Sequence, residues 1–338
     1  MKDSLVDVSV LMLFFNRPEP LKQVFEQVQR AKPARLFLYQ DGPRSEADMP
    51  GIMACRQVVS AIDWDCEVHQ CYQPTNYGCD PSGFMSQQWA FSMTDKCIVL
   101  EDDVVPSPTF FTFCKEMLDR YEHDERVGMI AGFNTDERTP DVSDDYFFTT
   151  NFSIWGWASW SRVIGKRSAD YAFLDDAEAV SRLQALTEER KLRRDFLPMC
   201  QAHRLSGKAY FETIFQSQLL LQSQMTIVPR VNMINNVGVT DDSTHFAGSI
   251  STLPHGYRRI FTMGRYDLEF PLKHPRYVVE HVEYRHRVYR TMGWRSPWIK
   301  VGRSLEELYL NVKHGNWAFI AQSVRNRIRK WMGKTAYR

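Results

Sequence analysis

The sequence predicts an α/β protein: a mostly parallel sheet flanked by helices, followed by a basic, largely helical extension. Three observations predict it. Strand-like and helix-like runs alternate four times in the first 121 residues, as expected of parallel strands joined by helical crossovers. Three polar clusters, Asn16-Arg17, Gln40-Asp41-Gly42 and Glu101-Asp102-Asp103, follow strand-like runs, and open α/β sheets bind ligands beyond the carboxyl ends of their strands. Charge is also divided along the chain. From Arg258 onward there are 18 Lys/Arg against 6 Asp/Glu, whereas the preceding 257 residues carry a net charge of −11.

The elements follow in order. Val8 to Phe15 is a continuous apolar run closed by Asn16-Arg17-Pro18, which reads as a buried strand. Pro18-Glu19-Pro20 opens a helix, and Leu21, Val24, Phe25 and Val28 recur at helical spacing. Leu36 to Tyr39 is a second strand, and Ile52, Cys55, Val59 and Ile62 mark a second helix. Val68 to Tyr72 is a third strand; the Asn76-Tyr77-Gly78 loop then leads into a helix near Ser82 to Met93. Cys97 to Leu100 is a fourth strand that runs into Glu101-Asp102-Asp103. Pro106 and Pro108 precede a helix with the stripe Phe110, Phe111, Cys114, Met117, Leu118 and Tyr121. Beyond it the pattern loosens. Strands are expected over Val127 to Ala131 and Met225 to Val231, aromatic β-formers over Tyr146 to Trp160, and helix over Asp175 to Cys200.

At 338 residues and 43% hydrophobic, the chain suits one large domain or two unequal ones with a sizeable core. No apolar run approaches the roughly 18–20 residues that span a bilayer. The amino terminus lacks the three-part layout of a secretory signal. Seven cysteines without CxxC spacing read as buried thiols in a reducing cytoplasm.

Three adjacent acids at the end of an apolar strand repel one another, and desolvation adds to that cost. A divalent cation relieves both: Mg²⁺ and Mn²⁺ take oxygen ligands, commonly one or two carboxylates plus substrate phosphates. The alternative is a solvated acidic turn. Arg17 suits a diphosphate or the surface; Asp41 suits a base or ribose, or an ordinary Asp-Gly-Pro turn.

Together these residues carry a resemblance. The segments LFFNRP (13–18), YQDGPR (39–44), NYGC (76–79), IVLEDDVVPSPTFFTFC (98–114), IWGWASW (154–160) and NNVGVTDDSTH (235–245) resemble a bacterial, hemolysin-like group of glycosyltransferases with the GT-A fold. The chain is more distantly similar to the N-acetylglucosaminyltransferase I type. The resemblance spans roughly residues 8–246, so residues 1–256 are expected to form the transferase domain and 257–338 the extension. It implies that the triplet is a form of the DxD motif, with Asp103 ligating Mn²⁺ or Mg²⁺ and Glu101 and Asp102 along the nucleotide and ribose. It places Arg17 at the diphosphate and Asp41 at the uracil edge, hence a UDP-sugar donor; Asn16, Gly42 and Gly78 fall on the same donor side. His245, which closes the last of these motifs, would by the resemblance complete the metal shell or touch the diphosphate, although a lone histidine in such a place also serves as a packing or capping residue. Trp155-Gly156-Trp157 matches a segment lining the acceptor, although core tryptophans give the same pattern.

An inverting transferase needs a carboxylate that deprotonates the acceptor hydroxyl. The group places it in a Trp-Asp pair at a helix start, where this chain has Phe211-Glu212. The extra methylene of Glu212 moves the carboxylate by about one C–C bond. Asp241 and Asp242 are the fallback bases. A second departure is Val237-Gly238-Val239-Thr240, where the group usually has another glycine.

The implied enzyme transfers a hexosyl or N-acetylhexosaminyl group to a glycan or lipid-linked glycan in bacterial surface polysaccharide assembly. The alternative is a non-catalytic nucleotide-sugar-binding subunit of a glycan assembly complex. Near the end of the chain, Trp317, Ile320, Ala321, Val324, Ile328, Trp331 and Met332 fall at helical spacing among Arg325, Arg327, Arg329 and Lys330. Such a helix suits an anionic membrane surface, on the inner face of the inner membrane, or packs on the domain. No nucleic-acid-binding motif is present.

Overall fold

A computed structural model describes residues 6–238, 250–294 and 297–331. The chain has the expected α/β architecture, with a large, mostly parallel sheet flanked by helices and a helical carboxy-terminal region. Strands β1 (Val6–Phe14), β2 (Pro33–Gln40), β3 (Glu67–Tyr72) and β4 (Lys96–Glu101) alternate with helices α1 (Pro18–Ala31), α2 (Met49–Val59) and α3 (Cys79–Phe91). A short strand β5 (Val104–Pro106) and helix α4 (Phe110–Arg120) follow. Then come β6 (Val127–Ala131), β7 (Tyr146–Thr149), β8 (Trp157–Trp160), α5 (Ser161–Ile164), α6 (Ala177–Leu186), α7 (Arg190–Ser206) and α8 (Phe211–Leu221). Strands β9 (Met225–Pro229) and β10 (Ile234–Asn236) precede α9 (His255–Thr262), α10 (Val282–Thr291), α11 (Pro297–Lys313) and α12 (Trp317–Trp331).

The main sheet has eight strands in the order β3-β2-β1-β4-β8-β6-β9-β7. β1 pairs in parallel with β2 and β4, and β2 with β3. The strand order reverses between β1 and β4, so the crevice at their carboxyl ends is the topological switch point, where open sheets bind ligands. The register sets Leu13 against both Tyr39 and Glu101. The Asn16-Arg17 turn therefore emerges beside Asp102-Asp103.

Burial explains the first half. In β1, Val10, Leu11 and Met12 are at most 1% exposed, because helices pack on both faces of the sheet there, α3 on one and α4 on the other. α1 turns Leu21, Val24, Phe25 and Val28 onto the sheet.

The second half differs from expectation in three ways. The aromatic stretch over 146–160 divides into β7 and β8, which are not neighbours. β8 runs antiparallel between β4 and β6, an insertion that local periodicity does not specify. The helical stretch from 175 breaks into α6 and α7. In addition, β10 pairs antiparallel with β5 in a separate ribbon, bringing Asn236 opposite Val104 directly after the triplet.

The chain from 257 to 294 contributes to the same core. Ile260, Met263, Leu268 and Leu272 join the central cluster, and Tyr284, Val288 and Tyr289 pack with Phe147 and Val228. Among the described residues no helix is long and apolar enough to cross a membrane.

Candidate donor site at the strand switch point

Arg17 leaves β1 as the residue before α1, and its guanidinium lies on the triplet. It donates through Nε to Asp102 Oδ2 at 3.3 Å, through Nη2 to Asp102 Oδ1, and through Nη2 to Asp103 Oδ2 at 2.9 Å. Asp102 and Asp103 are 5% and 9% exposed, so this pairing is shielded from solvent. Burial opposes the Arg17 charge, but Asp102 and Asp103 more than compensate and its pKa is raised.

One cation does not balance three acids. Burial, then Asp103, Glu212 and Asp102, push the Glu101 carboxyl well above the usual range. Burial also raises Asp102, with Asp103 adding to the shift and Arg17 opposing it. Oxygen ligands short of positive charge suit a hard divalent cation. Among the described residues, the one His/Cys/Asp/Glu grouping whose ligand atoms close within 4.8 Å is Glu188, Glu189 and His286, outside this cluster.

The β5–β10 ribbon supports Asp103 from the other side. Val237 N donates to the Asp103 carbonyl at 2.8 Å, and Asn236 Nδ2 lies 3.5 Å from Oδ1. Gly238 approaches so closely that a Cβ there would lie 2.0 Å from Asp103 Oδ2. The single glycine of this loop is thus the one in contact with the triplet. His245, Asp241 and Asp242 lie outside the described residues.

Asp41 is buried and organises the neighbouring loop. One oxygen accepts from Gly42 N and Tyr77 N, both at 2.9 Å; the other accepts from Asn76 Nδ2 at 2.9 Å and Gly78 N at 3.0 Å. Four donors use the acceptor capacity of a carboxylate. Gly42 serves the same loop, since a Cβ there would lie 2.5 Å from the backbone of Thr75. Gly78, at φ +88°, turns the chain into α3, a conformation that costs any residue with a Cβ. Asn16 donates to Asp48 at 2.9 Å, and Arg44 holds the same carboxylate; that bond lowers Asp48 to about 2. The sequence reading missed Asp48, whose partner Asn16 is distant in the chain and belongs to another element.

Glu212 stands exposed in the first turn of α8, where the helix dipole favours a carboxylate. The structure brings it within electrostatic reach of Glu101 and Cys79. Cys79, at the start of α3, has its thiol raised by desolvation and then by the charges of Glu101, Asp80, Glu212 and Asp102. α3 and α8 meet closely: a Cβ on Gly83 would lie 2.5 Å from the Phe211 ring. Behind them, Tyr171 Oη and His203 Nδ1 reach Thr213 Oγ1 at 2.6 and 2.8 Å, and His203 stacks on Tyr210 at 3.7 Å. Nothing in the local sequence singles out this support, because it joins three separate segments.

The two tryptophans of the WGW segment separate. Trp157 is 1% exposed and packs on Phe215 at 5.0 Å, so it is core. Trp155 is half-buried between Phe133 and Phe261. A cavity of about 620 Å³ lies at the opposite end of the sheet, lined by Ser9, Arg35, Glu67 and Lys96 among others, and holds none of the residues above.

No protein-family model and no curated protein matches the chain. Solved structures overlap it loosely. HddC from Yersinia pseudotuberculosis is 8% identical, over 46% of this chain and 78% of its own, at a TM-score of 0.29. The inositol-1-phosphate CTP transferase from T. maritima is 10% identical, over 78% and 97%, at 0.36. Mouse xyloside xylosyltransferase 1 is 11% identical, over 64% and 81%, at 0.33. Overlaps this loose define no family, and the architecture described above stands on the chain's own sheet order.

Proposed function

We propose that the chain is a metal-dependent inverting glycosyltransferase of the GT-A type that uses a UDP-sugar. The observation that carries this reading is the charge-deficient carboxylate cluster, bridged by Arg17, at the β1/β4 switch point. Asp103 would hold Mn²⁺ or Mg²⁺, with Asn236 and Gly238 setting its carboxylate. The bound cation would supply charge neutralisation to the departing diphosphate. Arg17 would turn part of its charge to the same diphosphate, and Glu101 and Asp102 would line the nucleotide and ribose. Because Asp41 is engaged by four donors, its role here is to position the 76–78 loop against the base.

Glu212 would accept the proton of the acceptor hydroxyl as that oxygen bonds to the anomeric carbon. The bond from that carbon to the diphosphate oxygen breaks on the opposite face, and UDP leaves with the electron pair. An α-linked donor then gives a β-glycoside. The acceptor class is a glycan or lipid-linked glycan.

The test is single-turnover consumption of UDP-sugars with Mn²⁺. The Glu212→Gln variant should retain donor affinity and lose about 10²–10⁴-fold in rate. Near wild-type rates would move the base to Asp241 or Asp242. Metal-dependent donor binding without consumption by the wild-type chain would favour a non-catalytic binding subunit, the reading that the Phe211-Glu212 departure invites.

A further inference from the structure

The helix α11 is amphipathic in the reverse of the usual sense. Trp298, Val301, Leu305, Leu308, Tyr309 and Val312 are 44–79% exposed. At about 100° per residue they share an arc of roughly 100° on the helix surface. The opposite, polar side meets the protein. Arg303 donates to the Thr291 carbonyl and lies over the Tyr257 ring at 4.5 Å. Glu306 accepts from His255 N at 2.9 Å, and Asn311 is 3% exposed. These polar contacts hold the helix with its apolar stripe outward, an arrangement that is unfavourable in water and gains only when something covers it.

We infer that the α11 stripe, together with exposed Trp317, Val324 and Ile328 on α12, docks on an anionic lipid surface. Residues 297–331 contain seven Lys/Arg and two Asp/Glu, and α12 contains four Lys/Arg and no acid. A second copy of the chain would bring cationic α12 helices together, whereas anionic headgroups complement them. Trp298, Tyr309 and Trp317 are the side chains suited to the headgroup boundary. The sequence pattern offered the last helix for such a contact or for packing on the domain; the structure adds α11, whose stripe becomes a candidate surface only when its outward orientation is known. The inference does not depend on the proposed sugar transfer.

The experiment is co-sedimentation of the full chain with phosphatidylglycerol/phosphatidylcholine vesicles and with phosphatidylcholine alone. The wild-type chain should bind the anionic vesicles and leave them as salt is raised. Leu305→Glu combined with Leu308→Glu should weaken binding by about tenfold or more with unchanged Tm, since both side chains are already exposed. Four results would overturn the inference: no binding, equal binding to neutral vesicles, undiminished binding by the double variant, or a wild-type dimer that the double variant converts to monomer.

Discussion

Gly238 stands against Asp103 so closely that a single methyl group on its Cα would fall 2.0 Å from Oδ2. That carboxylate also accepts from Arg17. The glycine therefore shapes the site through what it lacks. Gly238→Ala should displace the Asp103 carboxylate and weaken Mn²⁺-dependent UDP-sugar binding by about 10–100-fold, as for other groups that orient a ligand. Calorimetric titration with and without Mn²⁺ measures it; unchanged affinity would remove Asp103 from the metal.

Arg17 is the counter-charge of two buried acids. Arg17→Ala should cost about 3–5 kcal/mol without metal, because it leaves both carboxylates unpaired in a poorly solvated place. Mn²⁺ should then raise the Tm of the variant more than that of the wild-type protein, since the variant has one more uncompensated charge. Thermal unfolding with and without Mn²⁺ reads both effects, and equal Mn²⁺ shifts would count against metal at the triplet.

The Gly83–Phe211 contact ties α3 to the turn that carries Glu212. Gly83→Ala forces the ring to move, an overpacking worth about 1–3 kcal/mol. On the proposed mechanism kcat should fall while the KM for donor holds, because displacement of the base affects the chemical step rather than nucleotide binding. Steady-state kinetics over donor concentration would separate the two.

His203 supports the same turn, and burial lowers its pKa. The folded state thus binds a proton less readily than the unfolded chain. Its contribution is fully present above the unfolded histidine pKa of about 6.5 and is lost as pH falls below it. Tm should decline from neutral pH towards pH 5, and His203→Asn should flatten that decline. An identical slope in the variant would assign the pH dependence elsewhere.

Much of the first half was legible because each element carries its own signal. Continuous apolar runs mark β1 and β4, and Pro18 with the Leu21-Val24-Phe25-Val28 stripe marks α1. The triplet was legible because three adjacent acids need a reason wherever they stand. The second half was less legible. β8 joins the sheet antiparallel between two strands that precede it, and a four-residue strand has too few side chains to declare its partners. Trp157 and Trp155 share one motif, yet only the first is core.

By itself, the sequence determined the kinds of element, the acids at the end of β4 and the cationic carboxy-terminal segment. Tertiary structure alone decided that Arg17 bridges Asp102 and Asp103, that Gly238 abuts Asp103, and that the apolar stripe of α11 faces outward. The physical reason is that periodicity records which residues of an element share a face, a local property of backbone geometry. Which surface that face meets depends on contacts between segments far apart in the chain, and these form only when the whole sheet has closed.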